Sequence, residues 1–451
     1  MPRPSARSPS HRQWRLLPVA VAAGLLSMQG LAQARPRAAA GKRIAIVASI
    51  GPASSDRSTI RRLVRSGVSM FRLNMAHQDQ RSTPVAVAAI RQGAGRRAPI
   101  LCDLPGGKLR TGLMPRGTEK VTLQQGESFV LRYGERWSEA SRRTSATAAW
   151  VDYDNPPGVT VGQYARPGGR IWLHQGKVVL EVTRVTDREI QTRVVGGGHL
   201  SSRASLALMG QDPAFPELTG DDRQKLAVAV RNGATHIGAS MIQRPSQIDA
   251  IRHELGRLGA RHVRVVAKIE TVGALEPTSL DAIVRRADEV MIARGDLGVA
   301  LAGNTRALHR AERQIATACR RYGKPVMDAT GFLSGMRTHG APSLANLLDI
   351  RHARFAVRPD SIMLKGTAIN ADPVAPVKLL RRALIGKDRT PQIARLAGLL
   401  TRTGGQARAG ELARQAGVSR GELRRTLHAA RRLGMLETRG QLVRLNQAMA
   451  Q

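Results

Sequence analysis

Two rhythms of apolar and polar positions run along this chain. From Arg43, short apolar runs that read as buried strands are followed by stretches whose apolar residues recur every three or four positions, the spacing of a helix face. The strand-like runs are residues 44–49, 70–74, 100–104, 236–240, 263–269, 289–294, 325–330 and 361–365. The intervening "TIRRLVRSG", "VAVAAIRQG", "DDRQKLAVAVRNG" and "RALHRAERQIATACRRYG" have helical spacing and stop at glycine. Eight strand–helix units predict an α/β fold, a (β/α)8 barrel. Over residues 113–213 the rhythm shifts to short alternating runs such as "RIWLHQG" and "KVVLEVTRV", which predicts an all-β lid domain inserted after the third strand. The expected domains are a barrel of residues 43–112 and 214–386, the lid over 113–213, and separate segments at 1–42 and 387–451.

The C-terminal ends of the predicted barrel strands carry Ser49, Arg72, Asn74, Asp103, Ser240, Lys268, Glu270, Arg294, Asp296, Thr330 and Lys365. In a barrel these ends meet at one face, where side chains from different strands can act together. Glu270 and Asp296 end adjacent strands, so two carboxylates can share a hard divalent cation, with Mg2+ the best match. Lys268, Arg72 and Arg294 add positive charge, and the combination suits a small anionic substrate held through a metal. Two bland readings stand beside this one. Arg294-Gly295-Asp296-Leu297-Gly298 is also an ordinary tight-turn pattern, and Glu270 with Arg294 could be a structural salt bridge. The number of polar groups at the strand ends favours the site.

Composition changes the picture at the two ends. The net charge is +38, and the excess is uneven. Residues 1–43 carry eight Lys or Arg and no acid, and residues 387–451 carry thirteen against four acids. Such charge attracts phosphates, nucleic acid or anionic lipid without choosing among them. Residues 11–34 have a basic start, an apolar stretch from Leu16 to Leu31 and a final Ala32-Gln33-Ala34. They read either as a secretory signal peptide or as spurious upstream translation with Met28 as the start. Cys102 and Cys319, in no C-x-x-C, offer neither a zinc knuckle nor a disulfide framework.

From Lys42 to about Leu384 the sequence resembles the pyruvate kinase family. The resemblance rests on the order and spacing of "ASIGPASSD", "FRLNMAH", "LCDLPGGKLRTG", "LTGDD", "GASMIQRPSQI", "AKIET", "IARGDLGVAL", "GKPVMDATGFLSGM" and "IMLKG". It implies phosphoryl transfer from phosphoenolpyruvate to ADP, giving pyruvate and ATP, with Mg2+ or Mn2+ in a cytoplasmic enzyme. Lys268 matches the lysine that stabilises the enolate and the moving phosphoryl group, and Arg72 the arginine that grips that group. Glu270 and Asp296 match the metal ligands, and Thr330 the threonine near the carbon that gains a proton. Ser240, Arg294 and Gly295 match substrate-site residues; Pro52 and His77 match the nucleotide-binding edge.

The departures are as informative. The family's monovalent-cation cage uses Asn, Ser, Asp and a Thr carbonyl. Here Asn74 and Asp103 remain, while Ala76 and Leu104 stand at the other two positions. Lys108 replaces the usual Glu, which resembles the potassium-independent type, where an ammonium stands in for the ion. Pro105 replaces a lysine, "HQGK" (174–177) replaces the lid motif with Asp, and "IMLKG" replaces L-S-G-E.

Beyond Leu384 the resemblance does not extend to the family's usual regulatory domain. Instead, "AGELARQAGVSRGELRRTLHAARRLG" followed by "MLETRGQLVRL" resembles a winged helix. Arg420, Arg424, Arg425, Arg431 and Arg432 suit duplex DNA phosphates; the same module could serve assembly into a homo-oligomer or packing on the barrel. No membrane partner is expected. A metal-dependent aldolase or lyase acting through a pyruvate enolate, or a phosphoenolpyruvate-sensing DNA-binding regulator, are the other readings.

Overall fold

The computed structural model describes residues 43–134, 138, 142–153, 156, 158–329, 331–333, 336, 342–386 and 388–446. The signal-like segment and Thr330 lie outside them. Eight parallel strands close a barrel: Ala45–Ile50, Val68–Asn74, Ile100–Asp103, His236–Ala239, Arg264–Ile269, Glu289–Ala293, Val326–Ala329 and Ser361–Leu364. The last strand pairs with the first, Ser361 opposite Ala45.

Alternation along each strand builds the barrel in two levels. Val47, Leu101, Val266, Met291, Met327 and Met363 fill the interior, and unbranched methionine adapts to the tapering space. Two residues further along, on the same side of the strand, come Ser49, Asp103, Lys268, Ala293 and Lys365. The floor is therefore apolar and the mouth charged. The other face of each strand, including Ile46, Phe71, Leu73, Cys102, Ile237, Val265 and Ile292, packs under the helices.

Together with strand Arg110–Thr111, the insertion forms a seven-stranded sheet, and by itself a two-stranded one, with a core of its own around Phe129, Leu131, Ile171 and Leu180. Its short turn His174–Gly176 packs against the helix Arg294–Ala300 at the barrel mouth. That helix is a correction to the sequence reading. The glycines of Arg294-Gly295-Asp296-Leu297-Gly298 do not make a tight turn: the segment is helical from its first residue, with Asp296 in the first turn.

After helix Ala375–Ile385 the chain forms three helices, Thr390–Arg402, Ala409–Ala416 and Arg420–Arg432. A three-stranded antiparallel sheet of Gln406–Arg408, Leu442–Leu445 and Leu436–Arg439 accompanies them. Ser419 caps the last helix by accepting from the Glu422 amide. The apolar residues of this segment, among them Ile393, Leu412, Leu423 and Val443, join the core beneath the barrel helices. Among the described residues no helix is long and apolar enough to cross a membrane.

Candidate active site

A cleft of about 320 Å³ opens at the C-terminal mouth of the barrel, under the inserted domain. Strand register fixes its centre. Asn74 and Gly238 both lie opposite Asp103, and the adjoining strand, Arg264–Ile269, delivers Lys268 and then Glu270. Gly238 is needed for this closeness, because a Cβ there would sit 2.8 Å from Asp103 Oδ1.

Asp103 is 1 % exposed and held between two cations. Arg72 donates to its Oδ2 from Nη2 at 2.6 Å and from Nε at 3.0 Å. Lys268 Nζ lies 3.0 Å from its Oδ1 and 3.2 Å from Glu270 Oε1. Burial opposes the charge on Asp103, but Lys268 and Arg72 outweigh it and hold the carboxyl below its usual pKa. Burial likewise works against the Lys268 ammonium, yet Asp103 and Glu270 raise its pKa, so it stays charged. Lys268 also donates to Ser240 Oγ, whose hydroxyl donates to the Leu104 carbonyl at 2.6 Å.

Glu270 is anchored by the Met241 amide, which donates to Oε2 at 2.6 Å. Met241 holds a left-handed φ of 59° to do so, backbone strain of the kind that collects at functional sites. Burial raises the pKa of Glu270 against the pull of Lys268, and the neighbouring Asp296 carboxylate adds to the rise. Burial acts the same way on Asp296, but Lys108, which donates directly to its Oδ1, prevails and lowers it. Two hard carboxylates thus face one spot where positive charge is already favoured. Their donor chemistry fits a divalent cation in place of the Lys108 ammonium.

Six basic side chains, Arg72, Lys108, Arg110, Arg203, Lys268 and Lys365, line the cleft against three acids. Burial, and after it nearby cations, lowers the pKa of Lys365 and of His77. The mouth therefore offers a net positive surface to an anion, with a carboxylate pair at its centre.

Arg72, Asn74, His77, Asp103, Lys108, Ser240, Lys268, Glu270, Gly295 and Asp296 all line this one cleft, as the strand-end argument requires. Arg294 does not. Its guanidinium turns away, with Nε 2.7 Å from Glu312 and Nη2 2.7 Å from Asp349, over the Phe332 ring. Neither substrate-lining Arg294 nor a Glu270–Arg294 salt bridge matches this geometry. The reason is that Arg294 opens a helix and Asp296, two residues later, projects from another side. Pro52 is exposed on the loop after the first strand and does not line the cleft. Lys108 reaches Asp296 rather than the Asn74–Asp103 cage, where Arg72 and Lys268 supply the charge instead.

Sequence reasoning overlooked Arg110 and Arg203 and marked His174 and Gln175 only as a departure in the lid motif; all four line the cleft. Arg110 stands two residues after Lys108 in an extended segment, a spacing that puts both on one side. Arg203, His174 and Gln175 come from turns of the inserted domain, and no local pattern marks Arg203.

The fold and site define a (β/α)8 barrel protein whose lid-covered mouth is electropositive around a pair of carboxylates. The family model described as pyruvate kinase, barrel domain, matches residues 41–377. The chain belongs to the pyruvate kinase family, whose members use a divalent metal. It is 31 % identical over 347 residues to the pyruvate kinase of Geobacillus stearothermophilus, a match covering 76 % of this chain and 56 % of that protein. Identity to human pyruvate kinase PKLR is 30 % over 378 residues, covering 81 % and 63 %. For the pyruvate kinase of Methylorubrum extorquens it is 32 % over 345 residues, covering 76 % and 68 %. The chain thus spans somewhat over half of the length of the first two.

Proposed function

We propose that the protein is a cytoplasmic pyruvate kinase that transfers the phosphoryl group of phosphoenolpyruvate to ADP. Mg2+ or Mn2+ is held by Glu270 and Asp296, and no potassium is required. One observation carries the reading: the Lys268 ammonium, tethered between Asp103 and Glu270 beside Ser240, faces a cleft rich in positive charge. In the reaction the bond from phosphorus to the enol oxygen breaks and one to a terminal oxygen of ADP forms. The enolate then takes a proton at carbon and becomes pyruvate. Lys268 neutralises the charge that develops on the enol oxygen and the moving phosphoryl group, where a preorganised cation acts most strongly. Arg72, fixed on Asp103, aligns the phosphoryl group. Thr330, outside the described residues, remains the proposed partner for the protonated carbon. Arg110 and Arg203 offer further phosphate contacts, and His77 stands at the nucleotide edge. The divalent cation, when bound, supplies charge neutralisation between the substrate oxygens and the two carboxylates.

Potassium independence rests on Ala76, which removes an oxygen ligand from the cage, and on the Lys108 ammonium, which brings a fixed positive charge into the same cleft. The deciding assay is ADP-dependent pyruvate release from phosphoenolpyruvate with Mg2+ or Mn2+, for the native protein and Lys268→Met. No turnover by the native protein sinks the kinase reading. A strong rise in rate with added potassium sinks its potassium independence. A lyase acting on a pyruvate enolate has no use for a lid that brings Arg203 to the mouth.

For the C-terminal module, packing on the barrel is favoured over duplex DNA. Arg424, Arg425 and Arg432 line a groove of about 650 Å³ whose other wall is barrel helices Leu344–His352 and Ala375–Ile385. The apolar side of helix Arg420–Arg432, with Leu423 and Ala430, is buried in the common core, while its arginines are exposed. Salt-sensitive DNA binding that disappears on deleting residues 388–451 would reverse this preference.

A further inference from the structure

Behind the mouth, where Arg294 points, His309, Glu312 and His352 bring one donor atom each to within 4.8 Å of one another. No other cluster of three or more His, Cys, Asp or Glu among the described residues does so. His309 and Glu312 stand three positions apart on helix Thr305–Arg321, and His352 ends helix Leu344–His352. The imidazole rings stack with centroids 4.0 Å apart. Glu312 is 0 % exposed, with His352 Nε2 2.8 Å from its Oε2 and Arg294 Nε 2.7 Å from its Oε1. Of the buried donor atoms here, His309 Nε2 has neither a hydrogen bond nor an ion pair among the described residues, while Glu312 and His352 are paired. Leaving such a nitrogen unsatisfied is costly.

We propose that His309, Glu312 and His352 form a second metal site, for a zinc-class divalent ion, distinct from the Glu270–Asp296 pair. Two imidazoles and one carboxylate with an open fourth position are a zinc donor set, whereas Mg2+ prefers oxygen. Ligand atoms 2.0–2.1 Å from a tetrahedral ion lie about 3.3 Å apart. Loading therefore requires the stacked imidazoles to turn until both Nε2 atoms face one point, and His352 and Glu312 to part. Arg294 on the second Glu312 oxygen is the outer partner that orients a ligating carboxylate. Through Arg294 the site is tied to the start of the helix that carries Gly295 and Asp296.

The test is titration of the full chain with Zn2+ and with Co2+, followed by calorimetry and by the cobalt visible spectrum. One saturable site per chain, undisturbed by excess Mg2+ and retained in Asp296→Asn, is the expected result. His309→Gln and His352→Gln should each weaken it at least about tenfold, and the double variant should abolish it, with far-ultraviolet circular dichroism unchanged. His309→Gln, at a half-buried position, keeps the test valid should changes at Glu312 prevent folding. Absence of saturable binding overturns the proposal. So does binding that survives in the double variant, or that Mg2+ and Asp296→Asn remove.

Discussion

The barrel mouth and the groove beside the C-terminal module are both rich in arginine and lysine, but they handle charge in opposite ways. In the mouth, Arg72, Lys108 and Lys268 each contact a carboxylate, and Asp103 and Glu270 are nearly inaccessible. In the groove, Arg351 meets Asp388, while Arg389, Arg424, Arg425 and Arg432 have no acidic partner among the described residues. Buried charges must be paired or they cost several kcal/mol each, whereas exposed guanidinium groups remain solvated at little cost. The mouth's charges are therefore fixed in position and suited to chemistry. Those of the groove make a general electropositive surface.

Substitutions break this comparison in order of size. Lys268→Met removes the mouth's central cation and leaves Asp103 and Glu270 short of positive charge. Pyruvate release should fall by about a thousandfold, and a steady-state assay at saturating phosphoenolpyruvate reads it directly. Asp296→Asn should lose activity by a similar or smaller factor and raise the Mg2+ concentration needed for half-maximal rate. Chelation of the metal should abolish turnover in the native protein, and Mg2+ should restore it.

Gly238→Ala tests geometry without altering charge. The new methyl would press on Asp103 Oδ1, so activity should drop while stability falls by about 1–3 kcal/mol in a denaturant titration. Asp222 reports on pH. It accepts from the Gly106 amide at 3.0 Å, and burial pushes its pKa up to about 6. A carboxyl raised on folding adds stability below its unfolded pKa, about 4, and loses that contribution as pH rises through 6. Native stability relative to Asp222→Asn should therefore decline between pH 4 and pH 7, by up to about 3 kcal/mol. The smallest effect belongs to the groove. Arg425→Ser should change stability by no more than about 0.5 kcal/mol and leave pyruvate release unchanged; a large loss would show that the groove's charges are as constrained as those of the mouth.

The strand-end residues were legible because a period of two is local. Val47 and Ser49, Leu101 and Asp103, and Val266 and Lys268 declare floor and mouth within single strands. Eight such runs with helices between them left little choice of architecture. What local pattern could not supply was direction and partnership. The segment from Arg294 to Ala300 folds as a helix, so Arg294 and Asp296 part company, one toward Glu312 and the other toward Glu270. Lys108 and Asp296 are 188 residues apart and meet only because the third and sixth strands share one mouth. His309, Glu312 and His352 read as ordinary polar residues on two separate helices until packing brings them together. The sequence by itself determined the barrel, its inserted sheet and the identity of the mouth's central charges, since each follows from periodicity along one segment. Only the tertiary structure decided which charge neutralises which, because that depends on contacts between strands and helices far apart in the chain.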